Sequence, residues 1–208
     1  MTRPVLPSRR ACLLSLSGTL LPFRLAQAGR QIEEPLSHAV RSALSAAVAA
    51  AAPPEPLLPT AADQQAYAQW QVSSSHRLTR YKKHPTERQE FLQTLWYEAR
   101  RAGLPLSLVL GVVQVESAFR KFAVSSAGAR GYMQVMPFWA LLIGDGDDSR
   151  LFHMQTNLRF GCVILRHYLD RERGDIFMAL GRYNGSRGQS VYPQAVQAAQ
   201  SGWLHSVD

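Results

Sequence analysis

From Leu106 to Val115 the chain is apolar on nearly every side of a helix, and it runs straight into Glu116. A helix without a polar face belongs in the middle of a core, because no side of it is stable against water. The rest of the fold must therefore be arranged around this segment. Glu116 is also the only acid between Glu98 and Asp145. Two effects act on its carboxyl in one direction: apolar surroundings disfavour the charged form, and so does the negative end of the helix dipole. A carboxylic acid that stays protonated near neutral pH is what cleavage of a glycosidic bond requires, since the leaving oxygen must receive a proton. The competing reading is a helix-terminal glutamate turned to solvent and paired with Arg120 at i+4. Spacing alone leaves both open.

Helical periodicity continues on either side. Pro85 followed by Thr86-Glu-Arg-Gln-Glu opens a helix with acids in its first turn, and Phe91, Leu92, Leu95 and Ala99 recur at helical spacing up to Gly103. Further helices are predicted at about 155–171, 175–183 and 192–200, with glycine-bearing turns around 125–131 and 144–148. No alternating strand is evident. Residues 63–208 therefore read as one mainly α catalytic domain with at most a short β-hairpin.

The residues after Glu116 are more specific. Glu116-Ser117-Ala-Phe119 leads to Ser125-Ser-Ala-Gly128-Ala129-Arg-Gly131-Tyr-Met133-Gln134-Val-Met136-Pro137. Downstream stand Asn157 and Gly161, then Ala179-Leu180-Gly-Arg-Tyr183-Asn184-Gly185. Gly128 and Gly131 permit a tight turn and close approach of a bulky polymer. Taken alone, Ser125, Gln134 and Met136 fit turn hydrogen bonding or core packing. Tyr183 ends a helix with Ile176, Ala179 and Leu180 on its core face, where its hydroxyl can reach the carboxyl or a substrate. Asn184 fits a substrate contact or a Tyr-Asn-Gly turn.

These three ordered blocks resemble the soluble lytic murein transglycosylases (the SLT domain), which are related to goose-type lysozyme. The resemblance covers roughly residues 81–200. It implies a lysozyme-like fold of the α+β lysozyme superfamily, a peptidoglycan glycan strand as substrate, and neither metal nor organic cofactor. It also implies Glu116 as general acid and then base, with Ser125, Gln134, Met136, Tyr183 and Asn184 as substrate-binding residues. Most glycosidases use two carboxylates, and here Asp145, Asp147 and Asp148 lie in a loop that reads as a solvated turn. In the transglycosylase reaction that the resemblance implies, the bond between N-acetylmuramic acid and N-acetylglucosamine is cut without water, leaving a 1,6-anhydromuramic acid end. Two alternatives are a hydrolytic muramidase on the same fold and a non-catalytic peptidoglycan-binding envelope protein. Tyr132 departs from the family's usual Leu and is expected to alter the groove wall, and Gly185-Ser186 replaces its usual Ala-Gly.

The N-terminus carries a different message. Residues 1–28 combine Arg3, Arg9 and Arg10, a short apolar run and Ala26-Gln27-Ala28, the layout of a cleavable export signal. Ser8-Arg9-Arg10 also fits a twin-arginine signal. The apolar run is about half the roughly twenty residues that a membrane span needs, so no integral span is expected in the mature protein, which belongs in the periplasm or cell envelope. Residues 29–62 are rich in Ala and Pro and read as a spacer, although 42–52 has helical propensity.

The net charge of +8 is half an export feature, since 1–28 holds four arginines and no acid. The remaining basic residues are scattered, which argues against a nucleic-acid partner. Of two cysteines, Cys12 lies in the signal, and Cys162 alone can form neither an intramolecular disulfide nor a cysteine-based zinc site.

Overall fold

A computed structural model describes residues 31–49, 54–205 and 207–208. The export signal read at 1–28 lies outside the described residues. Eight α-helices follow one another among them: α1 (His38–Ala49), α2 (Ala61–Leu78), α3 (Pro85–Arg101), α4 (Leu106–Ser117), α5 (Pro137–Ile143), α6 (Met154–Arg171), α7 (Ile176–Asn184) and α8 (Val191–Ser201). The architecture is mainly α, as the sequence predicts. Its only extended pairing among the described residues is a pair of isolated bridges, Val124 with Arg130 and Arg130 with Val135.

α4 is the central helix, and ten of its twelve residues are buried, which is what its unbroken apolar surface demands. It lies along α8. At Gly111 the two backbones come so close that a Cβ would stand 3.0 Å from Val196 O and Gln200 N. α3 packs against α4 as well, and α7 joins α8 to α6, which lies on α3. No helix among the described residues is long and apolar enough to cross a membrane.

The spacer reading needs correction where it meets α1. That helix packs on α5 and α6, burying Leu44 and Val48, with Val40 against the same core. Val40, Leu44 and Val48 follow one another at i+4, a narrow stripe easily lost among alanines. Its C-terminal carbonyls are taken by cations of the domain: Arg101 donates to Ala47 O and Arg159 Nη1 to Val48 O. Both arginines are held by buried Glu98, at 2.9 Å for Arg159 and 3.2 Å for Arg101. Cation capping of this kind satisfies groups that a helix end leaves unpaired. Residues 54–60 are also attached, through Gln93 Nε2 to Pro54 O at 3.0 Å and a capping box in which Thr60 and Asp63 start α2.

Candidate active site

α4 ends at Ser117, and Ala118 and Phe119 both take left-handed backbone conformations, with φ of 48° and 61°. Such angles are unfavourable for side-chain-bearing residues and persist only where the surroundings over-determine them. Here Phe119 is buried among Tyr81, Phe91 and Trp203, with ring centroids 4.7, 5.7 and 5.5 Å away. The turn stops the helix one residue after Glu116 and starts the chain back along the domain.

Glu116 is 5% exposed. Its Oε1 accepts a 2.6 Å hydrogen bond from the Tyr192 hydroxyl, while Oε2 is buried and has no partner among the described residues. Burial pushes the carboxyl up to about 8, and the Tyr192 hydrogen bond opposes this by favouring the charged form. The solvent-facing alternative, with Arg120 as ion-pair partner, is not what the structure adopts: Arg120 Nε donates to Ser117 O at 3.0 Å. Tyr192 carries no motif of its own in the sequence reading. It reaches Glu116 because α8 lies along α4, a relation between residues 76 apart.

The loop 123–136 is pinned by polar side chains. Ser117 Oγ donates to Tyr132 O at 2.8 Å. From α6, Asn157 Oδ1 accepts from Met133 N at 2.8 Å, and its Nδ2 donates to Arg130 O and Leu151 O, both at 2.8 Å. Gly131, at φ 75°, leaves room for that amide; a Cβ there would lie 2.3 Å from Asn157 Nδ2. Gly161, one turn along α6, makes the same allowance for Met133. The Asn157 and Gly161 pair thus seats the loop beside α4.

The expected substrate residues are placed as follows. Gln134 is buried, and its Nε2 donates to Ala123 O and Gly131 O at 3.1 and 3.0 Å, so its N–H groups brace the loop. Ser125 is half-buried, and its Oγ accepts from Ala129 N at 3.1 Å inside the turn. Met136 is half-buried at the loop's end. Tyr183 is fully buried, and its hydroxyl donates to Met133 O at 2.8 Å; the phenol bonded to the carboxyl is Tyr192 instead. Asn184 is buried at the end of α7, where Gly185 caps the helix at φ 80°. Tyr132 does not line a groove wall: it is buried against Phe91 with ring centroids 5.0 Å apart, and its hydroxyl accepts from Lys82 Nζ at 2.8 Å. The acids of the 144–148 loop are held within their own neighbourhood, Asp145 by Arg150, Asp148 by Arg130 at 2.9 Å, and Asp147 as cap of a short 3-10 turn.

Comparison with known proteins bears on the family of the chain. The family model described as the transglycosylase SLT domain matches residues 94–205. The chain is 34% identical over 101 residues to a transglycosylase of Enterobacteria phage PRD1, covering 49% of this chain and 37% of that protein. It is 31% identical over 115 residues to the membrane-bound lytic murein transglycosylase C of Histophilus somni, covering 48% of this chain and 32% of that protein. An inactive variant of the lytic transglycosylase Slt of Pseudomonas aeruginosa aligns at 22% identity and a TM-score of 0.49, over 67% of this chain and 29% of the other. The chain spans about a third of the length of these curated relatives. The matched family region takes up more than half of the sequence and includes Glu116, Asn157, Tyr183 and Tyr192; the chain belongs to the transglycosylase SLT domain family.

Proposed function

We propose that this chain is an exported peptidoglycan lytic transglycosylase with Glu116 as its single acid/base. The observation that carries the reading is one buried carboxyl with a divided environment. Oε1 is held by Tyr192, and Oε2 is left without a partner, so the transferable proton belongs on Oε2. With the carboxyl raised to about 8, that proton is present at neutral pH and is given to the oxygen between N-acetylmuramic acid and N-acetylglucosamine as their bond breaks. The 2-acetamido group of the muramic acid stabilises the cationic anomeric carbon. Glu116, now a carboxylate held by Tyr192, takes the proton of the C6 hydroxyl while that oxygen closes on the anomeric carbon. The products are one strand fragment with a 1,6-anhydromuramic acid end and one whose terminal N-acetylglucosamine carries the new 4-hydroxyl, and no water is consumed.

Residues 1–28 would deliver the chain to the periplasm, where this polymer lies, and that placement fits a relative named as membrane-bound. The acids at 145, 147 and 148 are already engaged by Arg150, Ser149 and Arg130 respectively, which favours chemistry with one carboxylate over two. Digestion of sacculi by the purified chain, followed by mass spectrometry of the soluble muropeptides, tests this. Anhydromuropeptides are expected. Products heavier by one water, with reducing muramic acid ends, would make it a muramidase, and binding without release would make it a peptidoglycan-binding protein.

A further inference from the structure

Over much of the fold the arginines are spent on acids: Arg130 on Asp148, Arg150 on Asp145, Arg159 on Glu98, and Arg182 on Glu34 and Glu172. The cations of two neighbouring turns, 81–84 and 118–124, are not. Lys83, Arg120 and Lys121 line one groove between these turns, and none of them has an acid within ion-pair distance among the described residues. Glu87 is the one acid on that lining, against Lys82, Lys83, His84, Arg120 and Lys121. Lys82 is buried with its amine on the Tyr132 hydroxyl. Burial lowers its pKa; Glu87 opposes that, and Lys121 is near enough to add to it. Like charges are thus gathered with little to separate them. At the rim stand Phe122 and Val124, 71% and 61% exposed, although Phe119 and Ala123 on the same turn are buried. Lys121 Nζ lies 5.2 Å from the Phe122 ring centroid, and the half-buried Phe152 ring is 6.0 Å away on another side. Folding gains nothing from leaving an aromatic ring in water.

We propose that this rim is a docking surface for an anionic lipid membrane, with Phe122 and Val124 entering the headgroup layer and Lys83, Arg120 and Lys121 resting on its phosphates. Apolar side chains ringed by unpaired cations are what an interfacial contact of this kind requires. An acidic peptide would answer the charge but would leave Phe122 in water. A carboxylate is also best gripped by an open guanidinium fork, whereas Arg120 has turned its Nε to Ser117 O and the lysines offer point charges. Each cation beside anionic headgroups strengthens binding about fivefold, so three of them with one ring give a reversible attachment. Phe122 follows Glu116 by six residues, which keeps the two within about 20 Å of each other even along an extended chain. Docking would therefore hold the cleft in the part of the wall nearest the membrane. Docking and cleavage are separate properties of the molecule, and docking does not require the glycan-cleaving reading.

Co-sedimentation with mixed phosphatidylglycerol–phosphatidylcholine vesicles, and with pure phosphatidylcholine vesicles, tests the surface. The chain from Gly29 onward holds every described residue, and its use prevents the basic, apolar N-terminus from binding lipid instead. It is compared with Lys83→Gln/Lys121→Gln and with Phe122→Ser. The unaltered chain should sediment with the anionic vesicles only, and added salt should release it. The lysine variant should bind about twentyfold more weakly and Phe122→Ser about tenfold more weakly. Anhydromuropeptide release from membrane-free sacculi should be unchanged in both. No binding to anionic vesicles, or equal binding by all three proteins, would overturn the docking surface and leave the enzymatic reading standing. A lysine variant that fails on sacculi yet cleaves glycan strands stripped of peptide would overturn it too, by assigning the cations to the peptide stems. Vesicle binding as expected, with no release of anhydromuropeptides by any of the three, would overturn the enzymatic reading and leave the docking surface.

Discussion

Where α4 meets α8 the site rests on apolar packing, and where residues 123–136 fold back it rests on side chains bonded to backbone. The first region buries Leu108, Val109, Val112 and Val113 against α8 and its neighbours, and it delivers Glu116 and Tyr192 to one another. The second has only fragments of regular structure, so Ser117, Gln134 and Asn157 take up the loop carbonyls and N–H groups that a sheet would otherwise pair. Packing is forgiving of many small apolar exchanges. A loop braced by a few buried hydrogen bonds is not, because each lost partner strands a polar group. The two regions should therefore fail differently.

The most severe failure is expected from Gly131→Ala. It places a side chain in the left-handed region and drives a Cβ toward Asn157 Nδ2 and Leu151 O, at a cost of about 3 kcal/mol or more. Asn157→Ala comes next, at about 2–3 kcal/mol, because the Met133 N–H and the Arg130 and Leu151 carbonyls lose their partner. On the packing side, Gly111→Ala should cost about 1–2 kcal/mol, since α8 must yield by a few tenths of an ångström. Denaturant midpoints rank these three, and a Gly111→Ala loss as large as that of Gly131→Ala would erase the distinction between the regions. The smallest stability change, below about 1 kcal/mol, belongs to Tyr192→Phe. Its effect appears in the pH profile instead. Loss of a hydrogen bond that favours the charged carboxyl moves the alkaline limb of activity upward, so a downward move would contradict the assigned role of Tyr192.

The same contrast explains what the sequence disclosed. α4, α6 and α7 were legible because their burial is written as local periodicity, and Glu116 stood out as a lone acid closing an apolar run. α1 was misread because three aliphatic residues among alanines make a weak stripe, and its partners Arg101 and Arg159 lie far along the chain. Tyr192 escapes the sequence reading for a related reason: the helix it opens is legible, but its pairing with Glu116 depends on how α8 lies on α4. Tyr132, read as groove lining, sits in the core because Lys82 reaches its hydroxyl across a separation of 50 residues. The polar brace on the loop was visible only as the motif residues themselves, since a hydrogen bond to a backbone carbonyl leaves no pattern in sequence.

Protonation of Glu116 joins fold and function in a way that fixes a sign. Its folded value of about 8 lies above the ordinary 4.5, so the native state holds a proton that the unfolded chain has released between those values. The stability that this proton confers is complete below about 4.5 and is lost as pH rises through about 8. Relative to Glu116→Gln, which cannot titrate, the unaltered chain should lose stability across that window. The most direct measurement is a carbon-13 NMR titration of the glutamate side-chain carboxyls, with Glu116→Gln assigning the resonance. A midpoint near 8 is the result expected of a buried acid held on one oxygen by Tyr192. A midpoint near 4.5 would mean that Glu116 is ionised at neutral pH, and it would contradict its role as the proton donor.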